Sequence, residues 1–241
     1  MTASAFLVEP AHRRMDGPPI RASIARRSAI RVESTSTDRE AEGGMSLTDL
    51  TDVIEIQPQL PSAREDVPEQ GIKLHIGGRE KRAGWKIFDA LPGPDVDFVG
   101  RLTDLAGVPD ESCAEVYASH VFEHLGYDHE IPVALTHVHR VLKSGGRFCI
   151  SVPDLLILCR LFVHPALDSD ARWSIMRLMF GGRTSEHDVH QAGLTFDFLH
   201  TFLQEAGFRD IRRVAEFGLF DDTSTLCFGG VPISLNVEAR K

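Results

Sequence analysis

The hydrophobic pattern from residue 71 onward predicts five short strands. Residues 148–152 are nearly all apolar, which is typical of a strand whose sheet is covered on both faces. The other four runs are similarly short, and each is followed by a glycine or a polar residue that marks its end. The predicted strands are 72–76, 85–88, 96–99, 114–118 and 148–152.

Two later segments repeat apolar residues at the spacing of an α-helix. The first carries its stripe from Ile131 to Leu142, with Asp128 as the predicted cap at its start and a pair of glycines after its end. The second extends from Thr195, a predicted N-cap, to Gly207, a predicted C-terminal stop. Both segments are therefore predicted to be amphipathic helices that cover a sheet.

Two more strands are predicted after the second helix, at 208–217 and 233–238. Strands that alternate with helices indicate an α/β fold with a mostly parallel, Rossmann-like sheet and helices on both faces. The last two strands are separated by a turn and favour a C-terminal antiparallel hairpin. Only about eight residues separate the first two strands, so we expect an irregular loop there instead of a crossover helix.

Composition divides the chain into three parts. Residues 1–44 are rich in Arg, Ser, Pro and Gly, which predicts a disordered N-terminal segment. Their first part also has the composition of an organelle transit peptide, and Met45 is an alternative start of the chain. Residues 45–70 are predicted to be a linker because prolines interrupt them. Residues 71–241 are predicted to form one domain with its own core.

The charge and cysteine content exclude several classes of protein. The net charge is −9, but residues 1–32 have six arginines and two acidic residues, a net of +4, so the rest of the chain carries −13. An acidic body argues against a nucleic-acid partner, because phosphate binding requires Lys and Arg. The four cysteines are widely spaced, which argues against a zinc ribbon or a disulfide scaffold and favours a reducing, cytoplasmic compartment. The most apolar run, 155–163, is too short to span a bilayer, so no transmembrane segment is predicted.

Glycines and polar residues follow the predicted strands at the edge where open α/β sheets bind ligands. Paired glycines after the first strand let a ligand approach the backbone closely. A carboxylate after the second strand can accept two hydrogen bonds from a ribose diol. Because the carboxyl ends of parallel strands share one edge, these residues are predicted to lie together. They are Gly77, Gly78, Asp89, Ser119, His120 and Asp154.

Four blocks of this sequence resemble class I S-adenosylmethionine-dependent methyltransferases of the methyltransferase type 11 group. The last two blocks are the most specific, because both composition and spacing match. The resemblance extends over residues 71–241, which are therefore predicted to be a methyltransferase domain, and the tail is similar to a subgroup associated with cell-surface polysaccharide synthesis. The blocks are 73–78, 84–89, 116–124 and 140–154.

The resemblance implies that S-adenosylmethionine is the cofactor and that its methyl group passes to an acceptor, either a small molecule or the hydroxyl of a glycan precursor. A hydroxyl acceptor would benefit from a base within hydrogen-bond reach, and His190, His120 and Asp154 are the candidates, in that order. The oligomeric state is not determined by the sequence. The residues implied to bind the cofactor are Gly77, Gly78, Asp89, Asp104, Ser119 and His120.

The sequence departs from the family pattern at two places. Arg79 stands where the family's first loop has its second glycine, and Arg101 follows Gly100 where an acidic residue is common. An arginine near a cationic sulfonium is unfavourable unless it pairs with the methionine carboxylate or with Asp104. The alternative hypothesis is therefore a degenerate domain that binds cofactor or a partner without activity.

A short motif suggests a third hypothesis. The segment 120–124 matches H-x-x-E-H, in which His120 and His124 could bind zinc with Glu123 as a base. No third ligand is marked, and a glycine at 126 shortens any helix there. A zinc hydrolase is the least favoured hypothesis, and no metal is expected. Residues 186–190 are likewise expected to be a polar loop near the cofactor site, not a zinc cluster.

Overall fold

The structure is a computed structural model, and it describes residues 70–185 and 188–241. The predictions of a disordered segment at 1–44 and of a linker at 45–70 lie outside the described residues, apart from Gln70.

The strands of the described residues are β1 (Ile72–Ile76), β2 (Trp85–Asp89), β3 (Phe98–Val99), β4 (Cys113–Ser119), β5 (Leu142–Pro153), β6 (Arg209–Val214), β7 (Cys227–Phe228), β8 (Val231–Pro232) and β9 (Ser234–Arg240). Seven of them form one mixed sheet in the order β3-β2-β1-β4-β5-β9-β6. The first five strands are parallel to one another, and β9 pairs antiparallel with both β5 and β6. The mostly parallel α/β fold and its antiparallel C-terminal end are thus confirmed. The other two strands, β7 and β8, form a separate antiparallel pair.

Four α-helices accompany these strands in the part of the chain that the structure describes. They are α1 (Glu130–Val141), α2 (Leu155–Phe162), α3 (Ser169–Phe180) and α4 (Phe196–Glu205). The sequence pattern predicts α1 and α4 but not α2 and α3. No helix in the described part of the chain is long and apolar enough to cross a membrane.

The start of α1 differs from the prediction, whereas α4 begins after Thr195, its predicted N-cap. The N-cap of α1 is His129, which makes no side-chain capping bond, and Asp128 does not serve as the cap. Instead, the Glu130 carboxylate accepts a hydrogen bond from the backbone N–H of Gly126 at 3.0 Å. Thr195 is the N-cap of α4, but its hydroxyl donates to the Asp197 carboxylate and not to the helix backbone.

One face of the sheet packs against α1 and α4. Alternate residues of β4, β5 and β9 share a core with the apolar stripes of these two helices. On the opposite face, Tyr117 and Cys149 pack with Phe217 and Leu219 from the segment after β6. Helices α2 and α3 form a separate cluster with Val231. The helices are therefore distributed less evenly than the sequence predicts.

Short connections explain this uneven distribution. Residues 77–84 join β1 to β2 without a helix, as predicted, and residues 90–97 join β2 to β3 in the same way. A helical crossover between parallel strands needs about a dozen residues or more. These connections can only be loops, and they lie at the edge of the sheet where a ligand would bind.

A row of charged side chains crosses β4, β5 and β9. Arg147 is 2% exposed, and its Nε donates to Glu115 Oε1 at 2.9 Å. Its Nη1 donates to Glu238 Oε1 at 3.1 Å, while the other oxygen of Glu238 accepts from Arg212 at 2.6 Å. Both glutamates are buried, so the arginine charge compensates two carboxylates that have been removed from water.

Candidate functional site

A cleft of about 1070 Å³ opens at the carboxyl edge of β1, β2 and β4, where the sequence predicts a ligand site. The loops after β1, β2, β3 and β4 line it, together with the segment between α3 and α4 and the segment between β6 and β7. Of the residues predicted to bind the cofactor, four line this cleft and two do not. Those that line it are Gly77, Asp89, Ser119 and His120, whereas Gly78 and Asp104 lie outside it.

The end of β1 requires two glycines for different reasons. Gly77 has φ +72°, and a Cβ there would lie 2.6 Å from Val121 Cγ2, so a larger residue would be strained and would clash. A Cβ on Gly78 would lie 2.6 Å from the His75 ring. Gly77 therefore keeps the backbone open to the cleft, while Gly78 allows the buried His75 ring to pack beneath the loop.

Asp89 ends β2 and lines the cleft as predicted. Its Oδ1 accepts a hydrogen bond from the backbone N–H of Leu91 at 2.8 Å, which fixes the orientation of the side chain. Oδ2 accepts no hydrogen bond from the described residues, so the carboxylate can still accept bonds from a ligand. A fixed, partly exposed carboxylate at this edge suits a ribose diol.

Ser119 ends β4 beside Asp222, a residue that the sequence analysis did not single out. The Ser119 hydroxyl lies 3.4 Å from Asp222 Oδ1 and 3.2 Å from Thr223 Oγ1. Tyr117 donates to both Asp222 oxygens, at 3.0 and 2.8 Å. Burial raises the pKa of the Tyr117 phenol, so it stays protonated and can donate. No local signal marks Asp222, because it arrives from a loop about a hundred residues further along the chain.

His120 is held in an unusual backbone conformation, with φ +53°. Its Nε2 lies 3.0 Å from Ser234 Oγ, and the Ser234 hydroxyl donates to the Thr223 carbonyl at 2.7 Å. Since that hydroxyl hydrogen is already used, His120 Nε2 must be the donor to Ser234. Its other nitrogen, Nδ1, lies 3.3 Å from Glu123 Oε1.

Glu123, His124 and His190 form a cluster beside the cleft. One possible ligand atom from each lies within 4.8 Å of the others. Glu123 and His124 belong to the 3-10 helix Phe122–His124, and the backbone carbonyl of Glu123 accepts from the N–H groups of Gln191 and Ala192 at 2.7 and 3.1 Å. These bonds tie the loop that carries His190 to the end of β4.

His190, the first candidate base, does not line the cleft, although Val189 and Gln191 on either side of it do. Its Nδ1 lies 3.2 Å from the Met179 carbonyl, which can only accept, so Nδ1 carries the hydrogen. Burial lowers the pKa of His190, with the charge of Glu123 acting in the opposite direction. The neutral ring therefore has its free lone pair on Nε2.

The geometry of Asp154 favours a structural role over the predicted catalytic one. It is the N-cap of α2, and its Oδ1 accepts from Leu156 and Ile157 backbone N–H groups at 3.1 and 3.3 Å. Its Oδ2 accepts from Arg213 at 2.6 Å. Asp154 is 1% exposed and does not line the cleft, so neither oxygen is available to an acceptor.

The two arginines that depart from the family pattern both line the cleft. Arg101 pairs with Glu130 at 3.1 Å and not with Asp104, whose Oδ1 accepts from the Ala106 N–H at 2.9 Å. Asp104 thus stabilises a turn behind the site. Arg79 is exposed at the mouth of the cleft.

Residues 79–150 match a family described as "Methyltransferase domain". This match covers strands β2 to β4 and most of β5, including the residues that end at the cleft. It confirms the resemblance drawn from the sequence blocks, and the sheet topology is the one that this resemblance implies. The chain thus resembles the class I methyltransferases of the type 11 group, and S-adenosylmethionine is the cofactor that this resemblance implies. A search of curated protein sequences found no match.

Solved structures resemble this chain at low sequence identity. A methyltransferase from Archaeoglobus fulgidus is 16% identical with a TM-score of 0.46, over 73% of this chain and 88% of that one. A methyltransferase from Methanosarcina mazei is 14% identical with a TM-score of 0.46, and the match covers 76% of this chain and 99% of that one. Human N-acetylserotonin methyltransferase in complex with S-adenosylmethionine is 17% identical with a TM-score of 0.40. The match covers 70% of this chain and 47% of the human protein, so this chain spans about half of that protein's length.

Proposed function

We propose that this chain transfers the methyl group of S-adenosylmethionine to a hydroxyl group of a small-molecule acceptor. The observation that carries the proposal is the convergence of Gly77, Asp89 and Ser119 on one cleft at the carboxyl edge of the sheet. The family match supports methyl transfer as the reaction. The similarity of the tail to a subgroup associated with polysaccharide synthesis makes a glycan hydroxyl the first acceptor to test.

The cofactor would be held by residues at the ends of three strands. Asp89 would accept hydrogen bonds from the ribose hydroxyls, and Gly77 would let the methionine portion approach the backbone. Arg79 would pair with the methionine carboxylate, since it is an exposed cation that lines the cleft. Gly78 and Asp104 would support these contacts from behind, as packing and turn residues respectively.

The bound cofactor supplies a methyl group made electrophilic by its sulfonium. The protein has to align the acceptor oxygen with this carbon and exclude water, and such alignment supplies much of the rate enhancement in bimolecular reactions. His120 is already engaged with Ser234 through Nε2, and His190 with a backbone carbonyl through Nδ1. Each ring retains one nitrogen for a proton, but only His120 lines the cleft, so His120 is the better placed of the two to act as the base.

The degenerate domain without activity remains the second candidate, because Arg79 and Arg101 depart from the family pattern. The structure contains a feature that weakens this argument. Arg101 is neutralised by Glu130, so its charge is partly compensated before any cofactor binds. The presence of Arg101 in the cleft is therefore compatible with methyltransferase activity.

Asp89→Asn should weaken the binding of S-adenosylhomocysteine more than tenfold. The amide keeps an oxygen for the Leu91 N–H but loses the charged acceptor for the ribose, and hydrogen bonds to charged groups contribute about 1.5–3 kcal/mol. Isothermal titration calorimetry with S-adenosylmethionine and S-adenosylhomocysteine measures this. Asp95→Asn is the matched control, because Asp95 pairs with Lys81 on the surface and does not line the cleft. Failure of the wild-type protein to bind either compound at millimolar concentration would refute the proposed function.

A further inference from the structure

Glu123 is the most unusual charged group near the cleft. Its side chain is 1% exposed, and neither of its carboxylate oxygens has a hydrogen-bond partner among the described residues. A carboxylate removed from water is strongly unfavourable unless a proton or a cation compensates its charge. The structure therefore requires a positive charge at this position.

His120 is a second reason to expect a positive charge beside Glu123. Its Nε2 donates to Ser234, so a neutral ring presents the lone pair of Nδ1 toward Glu123 Oε1 at 3.3 Å. Two hydrogen-bond acceptors would then face each other. Their approach is stable only if a proton or a metal cation is bound there.

Two further histidines are oriented as metal ligands are. His124 Nδ1 lies 3.1 Å from the Val189 carbonyl, and His190 Nδ1 lies 3.2 Å from the Met179 carbonyl. Carbonyl oxygens only accept, so both Nδ1 atoms carry hydrogen and both Nε2 atoms keep a free lone pair. Histidines that bind metals commonly donate their second nitrogen to a carbonyl or carboxylate in this way, because that bond fixes the ring.

We propose that Glu123, His124 and His190 bind a divalent transition-metal ion beside the cofactor cleft, with His120 next to it. Two imidazole nitrogens and one carboxylate oxygen suit zinc best, and three protein ligands leave a coordination position open for a water or a substrate. The ligand atoms lie within 4.8 Å of one another, a spacing that one ion can bridge. This proposal replaces the expectation from the sequence that no metal is bound.

The role of the ion rests on the proposed function. His124, Val189 and Gln191 line the cleft, so the cluster borders the space available to an acceptor. A hydroxyl bound to the ion would lose its proton to water, because a bound cation lowers the pKa of its oxygen ligand. The oxygen lone pair would then form the bond to the methyl carbon, and the carbon–sulfur bond would break with its electron pair moving to sulfur.

Metal binding can be tested without any knowledge of the acceptor. The full chain is purified without chelator and its metal content is measured by elemental analysis. Protein stripped with chelator is then titrated with Co²⁺, whose visible absorption reports coordination by nitrogen and oxygen, and Zn²⁺ is added as a competitor. We expect about one ion per chain, a Co²⁺ spectrum that saturates at one equivalent, and its displacement by Zn²⁺.

Variants then locate the site. Glu123→Gln should lower Co²⁺ affinity by more than about 100-fold, because even the outer partners of a metal ligand contribute about 10- to 100-fold. His190→Ala should do the same. His200→Gln, a half-buried histidine on α4, is the control and should bind Co²⁺ as the wild type does. Circular dichroism of each stripped variant verifies that it is folded, and the wild-type titration stands whether or not a variant folds.

The possible results distinguish a failure of the metal-site proposal from a failure of the proposed methyltransferase function. Absence of Zn²⁺ or Co²⁺ binding by the wild type would overturn the site and would assign the compensating charge to a proton. Unchanged binding in both Glu123→Gln and His190→Ala would overturn it as well. Calorimetry with S-adenosylhomocysteine on the stripped protein tests cofactor binding independently, so a failure of the proposed function would appear there and not in the cobalt spectrum.

Discussion

Replacing Arg147 by methionine should lower the free energy of unfolding by about 3–5 kcal/mol, the cost typical of removing one partner from a buried ion pair. Methionine fills similar volume but leaves Glu115 and Glu238 buried without the cation that compensates them. Arg212 still contacts Glu238, whereas among the described residues Glu115 retains only the half-exposed Lys73, at 3.5 Å, as an ion-pair partner. Urea unfolding followed by circular dichroism measures the loss.

A matched control is available at the surface. Arg101→Met removes an ion pair of similar length, 3.1 Å to Glu130, but Arg101 is 74% exposed. Exposed ion pairs contribute about 0–1 kcal/mol, so this variant should lose little stability. Adding Glu115→Gln to Arg147→Met should restore part of the loss, because it removes a buried charge. A loss below about 1 kcal/mol for Arg147→Met would contradict the structural role assigned to the row of charges.

The stability of the protein should fall as the pH is lowered from 7.5 to 4.5, and His75 should account for roughly 2–3 kcal/mol of that fall. Burial lowers the pKa of His75 from 6.5 to about 4, with the charge of Asp222 opposing the shift. The unfolded chain therefore binds a proton at His75 below pH 6.5 that the folded chain does not bind until about pH 4. Between these values the unfolded state is favoured more as the pH falls.

His75→Phe tests this assignment with little change in packing. The His75 ring lies 4.1 Å from the Phe220 ring and 5.0 Å from the Tyr117 ring, between centroids, so another aromatic ring fits the same cluster. Unfolding free energies measured at several pH values should decline less steeply for the variant than for the wild type. His75→Gln should show the same flatter decline, although its absolute stability will differ. If both variants follow the wild-type curve, the titration of His75 does not control this range.

The strands and the ligand edge could be predicted from the sequence because both depend on local patterns. Apolar runs between glycines and polar residues determine β1, β2, β4 and β5, and Asp89 and Ser119 lie at the cleft simply because they follow parallel strands. The missing crossover helix between β1 and β2 also follows from chain length alone. By contrast, the sequence does not predict α2, because its residues are nearly all apolar and polar residues do not recur in it at helical spacing.

Contacts between distant segments could not be predicted in this way. The sequence motif at 120–124 offers two histidines and a glutamate but no third zinc ligand, and the structure supplies His190 from a loop about 65 residues away in place of His120. Asp154 has the right position after a strand to be catalytic, yet Arg213 from β6 and the start of α2 occupy both of its oxygens. Asp222 reaches Tyr117 from a still more distant loop.

The sequence by itself determined the class of fold, the edge of the sheet at which a ligand binds, and the residues that each strand delivers there. These depend on the period of apolar residues and on the chain direction of parallel strands, both of which are local. Only the tertiary structure decided which polar groups are buried, which are compensated, and which remain available to a ligand. Burial and compensation depend on side chains that meet across the sheet from remote parts of the chain, and they decide whether Glu123 is a structural carboxylate or a metal ligand.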